Sequence, residues 1–351
     1  MDSFCRVPLL AVLFFAALSQ GRAAEALTED EVDRALDAIW LKSPTPEQRS
    51  PASAKSAALE AYLARLGPGT GILTEPPMPL TEAEFPPLRF HSEVLAGNTG
   101  YIRMGAFTPE LPSRIEPVLR DFVQMGARNL ILDLRATPAQ GSLALAADVA
   151  SCFVSQGVPL FAVRSGGQPE VPLLTRRPPT GRFRLLVLTG IRTAGPVEAL
   201  GAALKVHANA TLIGSPTQGQ AADFEMIPLG SKRFLRLPVR EAVLPTAPDL
   251  FPKGLRPDIL SRVSPDATDA ALQRAAQEGK VASLLVETER PRLNEAALVA
   301  GENPETEAWI QAQLRRGQPK PAPMPKDFTL RMALDFLCAW ESLYDQTQVL
   351  P

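Results

Sequence analysis

The sequence predicts an α/β protein: a core of strands with crossover helices, flanked by N-terminal and C-terminal helical segments. Three observations predict it. From residue 96 to 263, short apolar runs alternate with amphipathic stretches, the pattern left by strands joined through crossover helices. On either side, at 24–67 and 264–351, apolar residues recur at helical spacing instead. The 35 prolines gather at Pro76 to Pro87, Pro169 to Pro179 and Pro319 to Pro325, where linkers and extended crossings are expected.

In chain order, residues 1–23 read as a signal peptide. Arg6 precedes the apolar run Val7 to Leu18, and Gly21 and Ala23 stand at the spacing a signal peptidase reads. The run is shorter than the ~20 residues that span a bilayer, so export to the periplasm or the extracellular space is expected ahead of a retained anchor. Thr28 and Glu31 have capping-box spacing before Val32, Leu36 and Ile39, predicting a helix that ends near Leu41. Leu59, Tyr62, Leu63 and Leu66 share one face of a second helix, which Gly67 stops. Residues 68–95 are expected to be a proline-rich extended linker, too short for another domain of ordinary size.

Within the core, Gly100 to Phe107 (GYIRMGAF) and Asn129 to Leu134 (NLILDL) read as strands around a helix from Pro112 to Met125. Leu143 to Val154 reads as a helix, and Pro159 to Val163 and Phe183 to Leu188 as strands. A helix from Pro196 to Val206 and a strand from Ala210 to Ile213 follow. Beyond Asp266, helices are expected at 267–278, 304–315 and 327–343. In the last, Leu330, Leu334, Leu337 and Trp340 or Glu341 track one stripe, read as core rather than interface.

Composition narrows the function. With 36 Lys and Arg against 38 Asp and Glu, and no basic block, nucleic acid is not expected as a partner. The two histidines, His91 and His207, lie at no metal-ligand spacing and beside no nucleophile elbow, so neither a zinc site nor a Ser-His-Asp triad is expected. His207 reads as a surface residue ending a helix. Cys5 leaves with the signal, and Cys152 and Cys338, both in apolar helical contexts, are expected as buried free thiols rather than a disulfide.

Five stretches in order carry a resemblance: GYIRMGAF at Gly100, LILDLRATPAQG from Leu130, TAGPVEALGAAL from Thr193, GSPTQGQ from Gly214 and GLRPDI from Gly254. Together they resemble the core of the tail-specific (carboxyl-terminal processing) serine proteases, which implies a ClpP/crotonase-like fold at 96–263. In that family an Asp-Leu-Arg strand leads into an Asn-Pro-Gly-Gly turn. The nucleophile lies in a Ser-Ala-Ser-Glu segment opening a helix, and a Gly-Lys-Gly turn supplies a lysine as base. A PDZ domain commonly precedes the core, and 68–95 leaves no room for one.

The resemblance places Gly195 at the nucleophile position, anchored on Glu198, and Gln220 at the lysine position. Glycine has no side chain to attack with, and a carboxamide is no general base near neutral pH. The oxyanion hole needs backbone N–H groups. One would come from Pro196, which has none, the other from a turn that here reads Thr137-Pro138-Ala139-Gln140. The family's supporting Asp and Gln align with Val206 and Phe224. A dyad displaced onto Thr193 with Lys205 or Lys232 breaks the motif spacing. Ser142 reads as a helix cap, Asp133 and Arg135 as a structural ion pair ending a buried strand, and Asp258 as a turn-former.

The resemblance therefore implies an exported relative without the dyad, needing no cofactor or metal. It would bind a peptide or protein in a former substrate cleft made by Thr137, Thr193, Gly195, Thr217, Gln220 and Phe224. Membrane contact is expected only through an uncleaved signal segment. The alternatives are an active serine-type endopeptidase with a displaced dyad, a carrier of a small hydrophobic ligand like the similar retinoid-binding proteins of the photoreceptor matrix, and a scaffold acting through the C-terminal helices.

Overall fold

The apolar runs at 99–103, 129–133, 184–189 and 211–214 form one sheet because they present large side chains to both of its faces. The structure, a computed structural model, describes residues 28–42, 51–76, 80–166, 168–247, 250–285 and 326–347. The expected signal peptide and the helix at 304–315 lie outside them. Internal contacts divide the chain into two units, residues 1–62 and 63–351.

In the first unit, α1 (Glu29–Lys42) starts on the expected capping box: Thr28 N donates to Glu31 Oε2 at 2.8 Å, and Glu31 N to Thr28 Oγ1 at 3.4 Å. Helix α2 (Pro51–Leu66) begins in this unit and ends before Gly67, whose φ of 119° stops it.

The second unit continues with β1 (Gly71–Leu73), β2 (His91–Leu95), β3 (Thr99–Arg103), α3 (Leu111–Gln124), β4 (Asn129–Asp133), α4 (Leu143–Ala150), β5 (Pro159–Ser165), β6 (Val171–Leu174), β7 (Arg184–Thr189) and α5 (Pro196–His207). Then come β8 (Thr211–Gly214), β9 (Ala222–Gly230), β10 (Arg233–Val243), the single turn α6 (Leu250–Lys253), β11 (Ile259–Leu260), α7 (Pro265–Glu278) and α8 (Phe328–Thr347).

The main sheet has the order β11-β8-β7-β4-β3-β2, parallel throughout except for β2 on β3. Alternation along β4 sends Leu130 and Leu132 to one face and Ile131 to the other. The first face packs on α3, α4 and α5, where Ile115, Leu119, Leu145, Val149, Val197 and Leu200 are buried. The second packs on α7 and α8 through Ala271, Ala275, Leu330 and Leu337. Both faces are covered, as parallel sheets require.

Three expectations need correction. Residues 68–95 are not simply a linker: β1 pairs with β10, and β2 forms the antiparallel edge of the main sheet. Leu95 is buried at the end of β2, and Phe85 and Leu88, at a short turn before it, are buried against Ala136 and Leu272. A second sheet, β1-β10-β5-β6 with β9 on β10, brings in the hairpin of β9 and β10 and the strand β6, none of which the apolar pattern marks as strands. Cys338 is exposed on α8, whereas Cys152 is buried and its thiol is pushed up to about 12 by burial; both are free.

Candidate functional site

The site forms where the loop after β4, the start of α5 and the loop after β8 meet. Gly195 is the N-cap of α5, with φ 77° and ψ −147°, a conformation open essentially to glycine. Pro196 opens the helix. Glu198, in the first turn of α5, is fully buried. Its Oε2 accepts the backbone N–H of Gly195 at 3.0 Å and of Gln220 at 2.6 Å. Its Oε1 accepts the N–H of Gly219 at 2.7 Å and the hydroxyl of Thr217. One carboxylate thus ties the two positions aligned with the dyad to each other. Burial pushes the Glu198 carboxyl up from the usual range, and the four donated hydrogen bonds oppose that push.

No hydroxyl or amine stands at either position. A Cβ added at Gly195 would lie 3.0 Å from Ala139 Cα, so the turn Thr137-Pro138-Ala139-Gln140 crowds the place a nucleophile would take. The Gln220 side chain is engaged: its Nε2 donates to Gln218 Oε1 at 2.6 Å, and its Oε1 lies 3.4 Å from both terminal nitrogens of Arg236. Arg236, on β10, also donates to Gly69 O at 2.8 Å and stacks 3.9 Å over the Phe224 ring. Phe224 meets Phe251 edge-on at 6.5 Å.

The three threonines expected to line a cleft are buried, and two of them, Thr193 and Thr217, spend their hydroxyls on the protein itself. The Thr193 hydroxyl donates to Leu134 O at 2.9 Å and accepts from Gly190 N at 3.0 Å. Thr217 Oγ1 serves Glu198 and accepts from Leu255 N, and Thr137 is fully buried. The cavity beside Gly195 is lined instead by Leu80, Phe85, Leu88, Pro138, Ala139, Ala194, Arg192 and Gln218, with a volume of about 210 Å³. Arg192 is anchored at its rim, bonded to Asp269 at 2.5 Å and 4.9 Å over the Phe85 ring.

The other candidates are structural. Asp133 and Arg135 form a buried ion triad with Asp327, at 2.6 and 2.7 Å, and Tyr101 Oη donates to Asp133 at 2.7 Å. Burial opposes ionisation of Asp133, but Arg135 and the Tyr101 bond hold its carboxyl below the usual range. Burial pushes the Tyr101 hydroxyl up. Ser142 caps α4 by accepting from Leu145 N at 3.2 Å. Asp258 accepts from Leu212 N at 2.9 Å and pairs with Lys205. His207 ends α5 and contacts Leu160 O at 3.0 Å. Val206 is exposed on the same turn, and Lys232 stands at the exposed tip between β9 and β10. Among the described residues no cluster of potential metal ligands occurs, and no helix is long and apolar enough to cross a membrane.

A largely parallel sheet covered on both faces, with loops meeting at the start of α5, defines an α/β frame, and comparison with known proteins shows what it is similar to. The model of peptidase family S41 matches residues 98–261. Over that core the chain is similar to carboxyl-terminal processing proteases. The carboxy-terminal-processing protease of Bartonella bacilliformis is 28% identical over 170 residues, covering 47% of this chain and 39% of that protein. The carboxyl-terminal-processing protease of Picosynechococcus sp. is 28% identical over 159 residues, covering 45% and 38%. The chain thus matches about two fifths of the length of these relatives. Among solved structures, the photosystem II D1 C-terminal processing protease is similar at a TM-score of 0.44 and 20% identity, over 59% of this chain and 54% of that one.

Proposed function

We propose that this chain is an exported member of its family without peptidase activity, which holds a peptide or protein segment in the cleft beside Gly195. The observation that carries the reading is the Glu198 carboxylate, which binds the N–H groups of both Gly195 and Gln220 while neither residue offers a nucleophile or a base. Pro196 withholds the next backbone donor, so an oxyanion would lack that partner too. A displaced dyad finds no support in the geometry: the Thr193 hydroxyl is spent on Leu134 O, and Lys205 is paired with Asp258 on the last turns of α5.

The apolar cavity of about 210 Å³ has room for a side chain of a bound segment. The test is to incubate the purified chain with a random peptide library and recover bound species for mass spectrometry. Peptides recovered intact, and protection from hydrogen exchange at 136–141 and 193–196, are expected. Recovery of a hydrophobic small molecule in place of peptides would sink the peptide reading and favour a carrier.

A further inference from the structure

We propose that Arg236 is the anchor for a carboxylate on the segment bound in this cleft. The inference rests on the peptide-holding reading and adds the chemistry of what is held. Arg236 is half-buried on β10, and among the described residues no carboxylate pairs with it. Every other contact of its guanidinium is neutral: the Gly69 carbonyl, the Phe224 face and the Gln220 carboxamide. A cation taken partly out of water without a counter-charge is costly, and burial pulls its pKa down.

The geometry also says what would relieve that cost. Both terminal nitrogens converge on one acceptor, Gln220 Oε1, at 3.4 Å each. Charge-assisted bonds from a guanidinium to a carboxylate run at about 2.7–2.9 Å and are bidentate. The Arg236 fork is therefore loosely filled by a neutral oxygen, and Gln220 adds an NH₂ donor beside it. Stacking on Phe224 holds the guanidinium plane in place. Gly69 lets the backbone approach this closely, since a Cβ there would lie 2.6 Å from Arg236 Nη1 and 2.7 Å from Gln220 Oε1. Gln220 links the anchor to the cleft through its Nε2, which donates to Oε1 of Gln218, a residue of the cavity wall, at 2.6 Å.

A carboxylate reaches such a fork either as a peptide C-terminus or as an Asp or Glu side chain. The test uses one N-acetylated apolar pentapeptide in three forms: free C-terminal acid, C-terminal amide, and amide with one internal Glu. Affinities are measured by calorimetry on the purified chain, and the Arg236 Nε–H resonance, assigned by its loss in Arg236→Lys, is followed by NMR. One or both acidic forms should bind about ten- to a hundredfold more tightly than the plain amide and shift that resonance. The advantage should vanish in Arg236→Gln and partly survive in Arg236→Lys. Propionate should shift the same resonance in the unmodified chain, a readout that does not depend on a variant folding. Equal binding of all three forms with an unmoved resonance would overturn the anchor and leave the cleft reading intact. Binding of none of them would remove both.

Discussion

A carboxylate buried without a cation has to be held by hydrogen bonds, and Glu198 accepts four of them. In Glu198→Gln, an NH₂ group replaces one oxygen, so at least one buried backbone N–H, that of Gly219 or those of Gly195 and Gln220, faces a donor whichever way the amide turns. A loss of about 1–3 kcal/mol is expected, measured by denaturant unfolding. The pH dependence has a definite sign. Burial raises the Glu198 carboxyl in the fold, so its contribution is fullest at acid pH and falls as pH rises through the raised value. The gap between the unmodified chain and Glu198→Gln should therefore narrow as pH rises above the ordinary glutamate range, and a widening gap would contradict it. The reversion Gly195→Ser with Gln220→Lys should stay inactive on casein. Residue 195 keeps a φ of 77° with Ala139 Cα 3.0 Å from the new Cβ, and Pro196 still donates no N–H.

At the scale of elements, α8 is fastened to the sheet at two points. Asp327 caps the helix by accepting from Leu330 N at 2.9 Å and completes the triad with Arg135. Near the other end, Glu341 accepts from Asn129 at 2.6 Å, and Arg184 lies 5.2 Å over the Trp340 ring. Arg135→Ala leaves Asp133 and Asp327 buried without their cation and should cost about 3–5 kcal/mol. Asp327→Ala should cost a similar amount, and the double variant much less than the sum, because both act on one triad. Additive losses in chemical denaturation would show that the triad is not a unit. These helices also mark what the sequence made legible. The strands buried on both faces, such as Asn129–Asp133, leave continuous apolar runs and were readable. Strand β10 was not: Leu235, Leu237 and Val239 do alternate with Arg236, Pro238 and Arg240, but a proline inside the run argues against a ladder strand and no side is fully buried from Phe234 to Val239.

For the whole molecule, the same contrast applies to the site. Motif spacing singled out Gly195 and Gln220 by counting from Glu198, and the structure ties the backbones of both to that carboxylate. The inward turn of Thr137, Thr193 and Thr217 was not legible, since a threonine reads the same whether its hydroxyl faces a cleft or a carbonyl. Arg236 was missed because a lone cation on a strand reads as a solvated face; only the structure stacks it on Phe224 beside Gln220. Acid should weaken the fold through Asp133. Its carboxyl is held below the usual range, so its contribution is present above that range and lost as pH falls through the lowered value. Thermal melts should show the midpoint dropping below about pH 4, and a flat profile there would contradict it.

The central claim, the proposal that this core binds without cutting, is tested most directly by peptide hydrolysis. The purified chain is incubated overnight with casein and a mixed peptide substrate, and new termini are counted by mass spectrometry against a buffer control. The account predicts none above the control. Cleavage that disappears in Thr193→Ala would contradict it, because that result would place a working nucleophile two residues before Gly195.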